Sequence, residues 1–230
     1  MTTASLKSSI YFVDDSGDAR RIAVLGWIRV DIGSCAGPLG HWQALLSELY
    51  ADPYLDIRPG DSLHAVSLAA GRGRPVYGVR RPPGTSAKQP YREVIRRALA
   101  AISFMPGVAV GSAFRMGEPG VHYGQLKQDL YEAWTRRVNA AHAAAGSQAF
   151  IIFDGDGSEA GLRRAHRRLG EPRHVVGDPY LVPARCSPLL QAADQVAYSG
   201  FQQLVRQPHR RFMWEWLQEL IPKVEGPLQL

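Results

Sequence analysis

The sequence predicts an α/β domain, and three observations carry that reading. From residue 89 onward, segments with helical periodicity alternate with strand-like runs. Residues 149–153 (AFIIF) are almost wholly apolar, as expected of a strand covered on both faces. Two β-rich runs open the chain, joined by the polar, Gly-containing link Asp14-Asp15-Ser16-Gly17-Asp18, which suits a hairpin.

Taken in order, residues 9–13 (SIYFV) read as the first strand, ending at Asp14, and residues 21–30 (RIAVLGWIRV) as the second. A helix begins at Pro38, with Trp42, Leu45, Leu46 and Leu49 on one face. Residues 51–90 lose this periodicity; rich in Pro, Gly and Arg, they read as loop with short elements. Residues 89–104 return to a helix. Val94, Ile95, Ala98, Leu99 and Ile102 face inward and Arg92, Arg96 and Arg97 outward, before Pro106-Gly107 stops it. Residues 108–114 are the third strand, 123–145 a long helix closed by Gly146, and 149–153 the fourth strand, ending at Asp154. Ser158 is expected to cap a short basic helix over 159–169, and 174–177 to form a short strand. Ser187 caps a helix with Pro188 at its first position, running to about Val205. An amphipathic piece over 211–220 carries Trp214 and Trp216. No repeat or linker divides the chain. A single domain over 1–230 is therefore expected, with 32–106 as a helical and loop insertion between the second and third strands and 207–230 as a C-terminal helical extension.

Composition narrows the function classes. The 230 residues are 45% hydrophobic and 21% charged, ordinary for a soluble globular chain. No apolar run approaches the roughly 20 residues that span a bilayer, so no membrane partner is expected, and the first nine residues lack the apolar centre of a signal peptide. Cys35 and Cys186 lie far apart with no metal-ligand spacing, which points to free thiols and a cytoplasmic protein. The net charge of +6 and pI near 9.5 favour a polyanionic partner, RNA or DNA.

The chemistry centres on three acids. Asp14 and Asp154 sit where apolar strands end, the position at which open α/β sheets place ligands. If the strands are neighbours the two charges repel, and a cation joining them relieves the cost. Oxygen ligands suit Mg²⁺ or Mn²⁺. Asp194 lies in a helix that is apolar on most sides, among Leu189, Leu190, Ala192, Ala193, Val196 and Ala197. An Asp in such a setting must be paired, hydrogen-bonded or metal-bound, and Gln191 shares its face three residues earlier. Singly, each Asp reads as a turn cap or an Arg partner; together they read as a metal centre.

These segments carry a family resemblance. Tyr11-Phe12-Val13-Asp14-Asp15-Ser16-Gly17-Asp18 resembles the opening Asp-Glu-Ser-Gly motif of the family catalogued as domain of unknown function 3800. Residues 187–197 resemble its closing Leu-Gln-x-Ala-Asp helix, residues 150–154 its middle strand and Asp, and Leu63-His64-Ala65 a short His- or Lys-containing patch. The resemblance implies an RNase H-like mixed sheet with helices on both faces, and acids on the first strand, the fourth strand and the last helix. It further implies a candidate nuclease that uses two Mg²⁺ or Mn²⁺ ions. Asp14 would bridge the ions, Asp154 and Asp194 would hold one each, and Asp15, where the family often has Glu, would be a further ligand candidate. His64 would shuttle a proton or contact phosphate. Ser16 and Gly17 shape the turn after Asp14, and Ser16 and Gln191 are candidate substrate contacts. Arg72, Arg74, Arg80 and Arg81, flanked by Tyr77 and Tyr91, form a basic run suited to nucleic acid. Further basic runs are Arg163, Arg164, Arg167 and Arg168, and Arg210-Arg211.

Three rival readings exist. Residues 150–158 (FIIFDGDGS) resemble the strand and Asp-x-Asp-x-Ser of a haloacid-dehalogenase-like phosphatase, with Asp154 as nucleophile and Asp156 as acid/base. Too little chain follows Asp154 for the rest of that sheet, and the reading leaves Asp14 unexplained. The same run is no calcium loop, because Glu159 stands where Gly is needed and Ala165 where Glu is needed. The third rival is a catalytically inactive nucleic-acid-binding module or a subunit of a larger complex, which would be indifferent to metal.

Overall fold

The computed structural model describes residues 8–18, 21–55, 57–58, 60–72, 84 and 86–230. Six strands, β1 (Ser8–Asp18), β2 (Ile22–Asp31), β3 (Val108–Met116), β4 (Gln148–Asp154), β5 (Tyr180–Val182) and β6 (Glu225–Gln229), form one sheet in the order β5-β4-β1-β2-β3-β6. β2 is antiparallel to β1 and β3, while β4 runs parallel to β1, β5 parallel to β4, and β6 parallel to β3. Three antiparallel strands, with a fourth parallel beside the first and a fifth beyond it, make the RNase H-like α/β arrangement.

Strand alternation sends successive side chains to opposite faces, and each face is covered. On one face Phe12, Val24, Ile28 and Val30 pack with α1 (Ala36–Ala51), α2 (Ala65–Ala70), α3 (Gln89–Phe104), α6 (Pro188–Val205) and α7 (Trp216–Leu220). On the other, Tyr11, Val13, Leu25 and Trp27 pack with α4 (Tyr123–Ala145) and α5 (Ala160–Arg167). Segment 32–106, expected as an insertion, supplies α1, α2 and α3 to the α6 face and so builds about half of the core on that face. No helix among the described residues is long and apolar enough to cross a membrane, and both cysteines are free thiols.

Several expected boundaries change. β1 does not end at Asp14: its turn-like residues stay extended and pair with β2 as far as Asp18↔Ile22. The parallel ladder to β4 stops at Val13↔Phe153, so Asp14 and Asp154 still lie just past its end. The strand expected over 174–177 reduces to one bridge between Val175 and Ala149, because the Asn139 side chain accepts the N–H groups of His174 and Val175. The edge strand forms later, at β5. Ser158 caps nothing; Glu159 precedes α5. The C-terminal segment is not wholly helical. After a 3₁₀ turn (Pro208–Met213) and α7 it ends in β6. Pro227 fits there because a proline, missing an N–H, is tolerated on an edge strand.

α6 approaches the sheet unusually closely. A Cβ on Gly26 would lie 2.3 Å from the Ala197 nitrogen and 2.8 Å from the Ala193 carbonyl oxygen. Gly26 is the register partner of Asp14 in β2. The missing side chain therefore lets α6 rest on the backbone beside Asp14. Gly26→Ala is expected to lower stability by about 1–3 kcal/mol, the range for overpacking a filled core; a denaturant melt unchanged from wild type would contradict the contact.

Behind β4, the fully buried His166 ring bonds to the Gly177 carbonyl through Nδ1 and to the Tyr131 hydroxyl through Nε2, at 2.9 and 2.6 Å. Since a carbonyl only accepts, Nδ1 carries the proton and the Tyr131 hydroxyl donates to Nε2. Burial holds the His166 pKa below its ordinary 6.5. The folded state then binds fewer protons than the unfolded chain. The stability His166 contributes is complete above pH 6.5 and is lost as pH falls through the depressed folded value. Urea unfolding of wild type and His166→Gln between pH 7 and pH 5 should give curves that converge toward acid. Parallel curves would rule out this linkage.

Candidate metal centre

Asp14 and Asp154 project from adjacent parallel strands toward the α6 face, in step with Phe12 and Ile152. Asp194 comes down on them from α6. All three line one cleft of about 470 Å³, together with Asp15, Ser62, Leu63, His64, Pro183, Ala184 and Arg185. The topology thus brings the three acids to one cleft.

Each carboxylate is held the same way. Asp14 Oδ1 accepts the Asp15 N–H at 2.7 Å. Asp154 Oδ1 accepts the Ala184 N–H at 2.5 Å. Asp194 Oδ2 accepts the Ala65 N–H at 2.6 Å and meets His64 Nδ1 at 3.2 Å. One oxygen of each group is fixed by a backbone N–H. The other, Asp14 Oδ2, Asp154 Oδ2 or Asp194 Oδ1, makes no hydrogen bond to a described residue.

Electrostatics follow from burial and crowding. Asp14 is only 6% exposed, and its pKa is raised well above the ordinary carboxylate range, first by burial and then by Asp194 and Asp154. Asp154 is raised by burial, against the lowering effect of the Ala184 N–H. His64 is raised chiefly by its hydrogen bond to Asp194. Buried like charges with unused oxygens are costly alone and favourable around a hard cation. The donor set is all oxygen, so the residues fit Mg²⁺ or Mn²⁺. Among the described residues, no three His, Cys, Asp or Glu side chains are grouped closely enough to hold a metal ion.

The α6 motif has a second job. Gln191 Oε1 accepts the Leu63 N–H, Gln195 Nε2 donates to the Leu63 carbonyl, and Asp194 takes the Ala65 N–H. These three side chains grip segment 63–65 and deliver His64 to the cleft. Gln191, expected to touch substrate, gives Oε1 to the protein backbone and also lines a cavity beside the cleft.

Other expectations shift as well. Asp15 faces the α4 side, where Tyr123 donates to Oδ2 at 2.7 Å and Lys127 Nζ lies 2.5 Å from Oδ1. Both its oxygens have partners there, although the residue also lines the edge of the acidic cleft. Ser16 sits in the β1–β2 ladder opposite Val24 and does not line the cleft. Asp156 is exposed and caps its own turn through the Ser158 N–H, as its Gly-Asp-Gly setting suggests, and it does not reach the cleft as a phosphatase acid would. Arg72 lies beyond the C-terminus of α2, away from the acids. Arg74, Tyr77, Arg80 and Arg81 lie outside the described residues. On the α4–α5 side, Arg167 pairs with Asp178 and Arg168 with Glu132. Sequence reasoning missed Arg185 on the rim, and it missed Tyr123 and Lys127. The last two stand four residues apart at the start of the longest helix, a spacing that puts both on one face.

No family model matches the chain, and no curated protein matches it. Two solved structures of Bst-RNase HIII are similar to it in fold. A point variant superposes with a TM-score of 0.41 at 17% identity, covering 90% of this chain and 56% of that one. The Mn²⁺ complex superposes with a TM-score of 0.37 at 16% identity, covering 91% and 56%. The chain thus spans little more than half the length of those proteins, and the RNase H-like fold of this chain stands on its own strand order.

Proposed function

We propose that the chain is a divalent-metal-dependent nuclease that hydrolyses phosphodiester bonds in nucleic acid. The observation that carries the reading is the set of unused oxygens on Asp14, Asp154 and Asp194, each belonging to a carboxylate fixed from behind by a backbone N–H. Asp14 stands beside Asp154 at the end of the parallel ladder and faces Asp194. It is the group placed to serve both sides, with Asp154 and Asp194 each serving one. Two Mg²⁺ or Mn²⁺ ions held there would supply Lewis acidity and a water of lowered pKa.

The remaining residues prepare the cleft. The backbone anchors at Asp15, Ala184 and Ala65 stop the carboxylates from turning away. His64, half exposed, keeps Nδ1 on Asp194 and makes no hydrogen bond through Nε2 to a described residue, which suits it to move a proton at the reacting phosphate or to contact a phosphate oxygen. Lys127 neutralises Asp15 and leaves the negative charge concentrated on the α6 face. The chain's +6 net charge favours a polyanion. The likeness of the opening and closing motifs to the domain-of-unknown-function 3800 family accords with this reading.

Cleavage of single- and double-stranded RNA and DNA with Mn²⁺ or Mg²⁺ is the test. Wild-type activity should vanish in EDTA. Asp14→Asn, Asp154→Asn and Asp194→Asn should each lower the rate by more than about 100-fold, the upper end of the loss seen when outer partners of metal ligands are removed. Near wild-type activity in any one variant would refute the three-carboxylate centre, and nucleic-acid binding with no cleavage in either metal would mark a non-catalytic module.

A further inference from the structure

A second cavity of about 430 Å³ adjoins the acidic cleft. Its walls come from α1, through Leu46, Ser47 and Tyr50, from Asp61, and from the start of α6 and the turn before it, through Arg185, Pro188 and Gln191. Arg185 lines both cavities. It is delivered to their junction by the same turn that fixes Asp154, since Ala184, whose N–H holds that carboxylate, is its neighbour. Arg185 is exposed and forms no ion pair with a described residue, a notable state for a guanidinium beside three acids. Tyr50 is 59% exposed, a large aromatic left at the wall of a concave groove.

From this arrangement we infer that the groove is a subsite for one unpaired nucleotide flanking the phosphate in the acidic cleft, so that the substrate class is a single-stranded polynucleotide. The inference rests on the phosphodiester reading of the acidic centre. Arg185 takes the phosphate that passes from one cavity to the next; its fork matches two phosphate oxygens. Tyr50 takes the face of the base, with Leu46 and Pro188 supplying apolar wall. The volume lies in the range of pockets that enclose one small molecule, roughly 300–1,000 Å³. A base in a duplex keeps its faces inside the stack and must be flipped to enter such a pocket, whereas an unpaired base offers its face directly. Stacking also accepts any base, so the groove selects strandedness without selecting sequence.

Anisotropy titrations in EDTA, where no metal-dependent cleavage can occur, separate this inference from the nuclease reading. Short labelled RNA and DNA oligonucleotides of one sequence are compared as single strands and as duplexes, with wild type, Tyr50→Ala, Tyr50→Phe and Arg185→Gln. Wild type should prefer the single strand. Tyr50→Ala should weaken single-strand binding about tenfold, within the range for losing one base–aromatic stack, with little change on duplex, and Tyr50→Phe should retain it. Arg185→Gln should make the slope of log K against log salt shallower by about 0.7, the loss of one single-strand phosphate contact. The sugar on which the Tyr50 effect is larger identifies RNA or DNA as the occupant. The inference is overturned if wild type shows no single-strand preference, or if Tyr50→Ala binds like wild type or weakens duplex equally. Failure of metal-dependent cleavage with these binding effects intact would count against the acidic centre and not against the groove.

Discussion

α6 lies on bare backbone at Gly26, and the acidic centre exists because of that contact. A side chain at this position would meet the Ala193 carbonyl and the Ala197 nitrogen below any real packing distance. Because Gly26 pairs with Asp14 across the β1–β2 ladder, the place where the helix touches the sheet is also the place where Asp194 can reach Asp14. The same helix then grips segment 63–65 through Gln191, Asp194 and Gln195. A buried amide or carboxylate left unpaired costs about 1–3 kcal/mol, so these bonds make the docking of segment 63–65 and the seating of α6 mutually dependent. His64 enters the cleft as a consequence.

The electrostatic arrangement is opposed to folding in the absence of a cation. Asp14 and Asp154 have their pKa values raised by burial and by the neighbouring acids, so their charged forms are disfavoured in the folded state. Backbone N–H groups offset part of that cost and also fix one oxygen of each carboxylate. A cation bound only by the folded state would stabilise it by mass action. On the opposite face of β1 the logic is reversed: Asp15 is satisfied by Tyr123 and Lys127, so neighbouring acids in one strand differ in role because strand alternation sends them to different environments.

Much of this was legible in the chain. The all-apolar run before Asp154, the Ser187-Pro188 helix start and the period of residues 89–104 state their elements directly, and Asp154 follows from where its strand ends. Pairing across long sequence separations was not legible. Nothing local in Asp15 says that its partners lie more than a hundred residues away on α4, and nothing in Gln191 says that its acceptor is taken by Leu63. Gly226-Pro227 hides an edge strand because an edge tolerates what a central strand does not. Arg185 falls in an irregular 3₁₀ turn with no periodicity, so only the folded geometry reveals that it joins two cavities.

The central claim is that Asp14, Asp154 and Asp194 close on metal through the oxygens they leave unused. A crystal structure of the protein soaked in Mn²⁺, read by anomalous scattering, tests it most directly. The expected result is Mn²⁺ among the three carboxylates, with Asp14 touching both ions and the ions roughly 3.5–4 Å apart. Mn²⁺ absent from the cleft, or bound through Asp15 with the Lys127 pair broken, would contradict it.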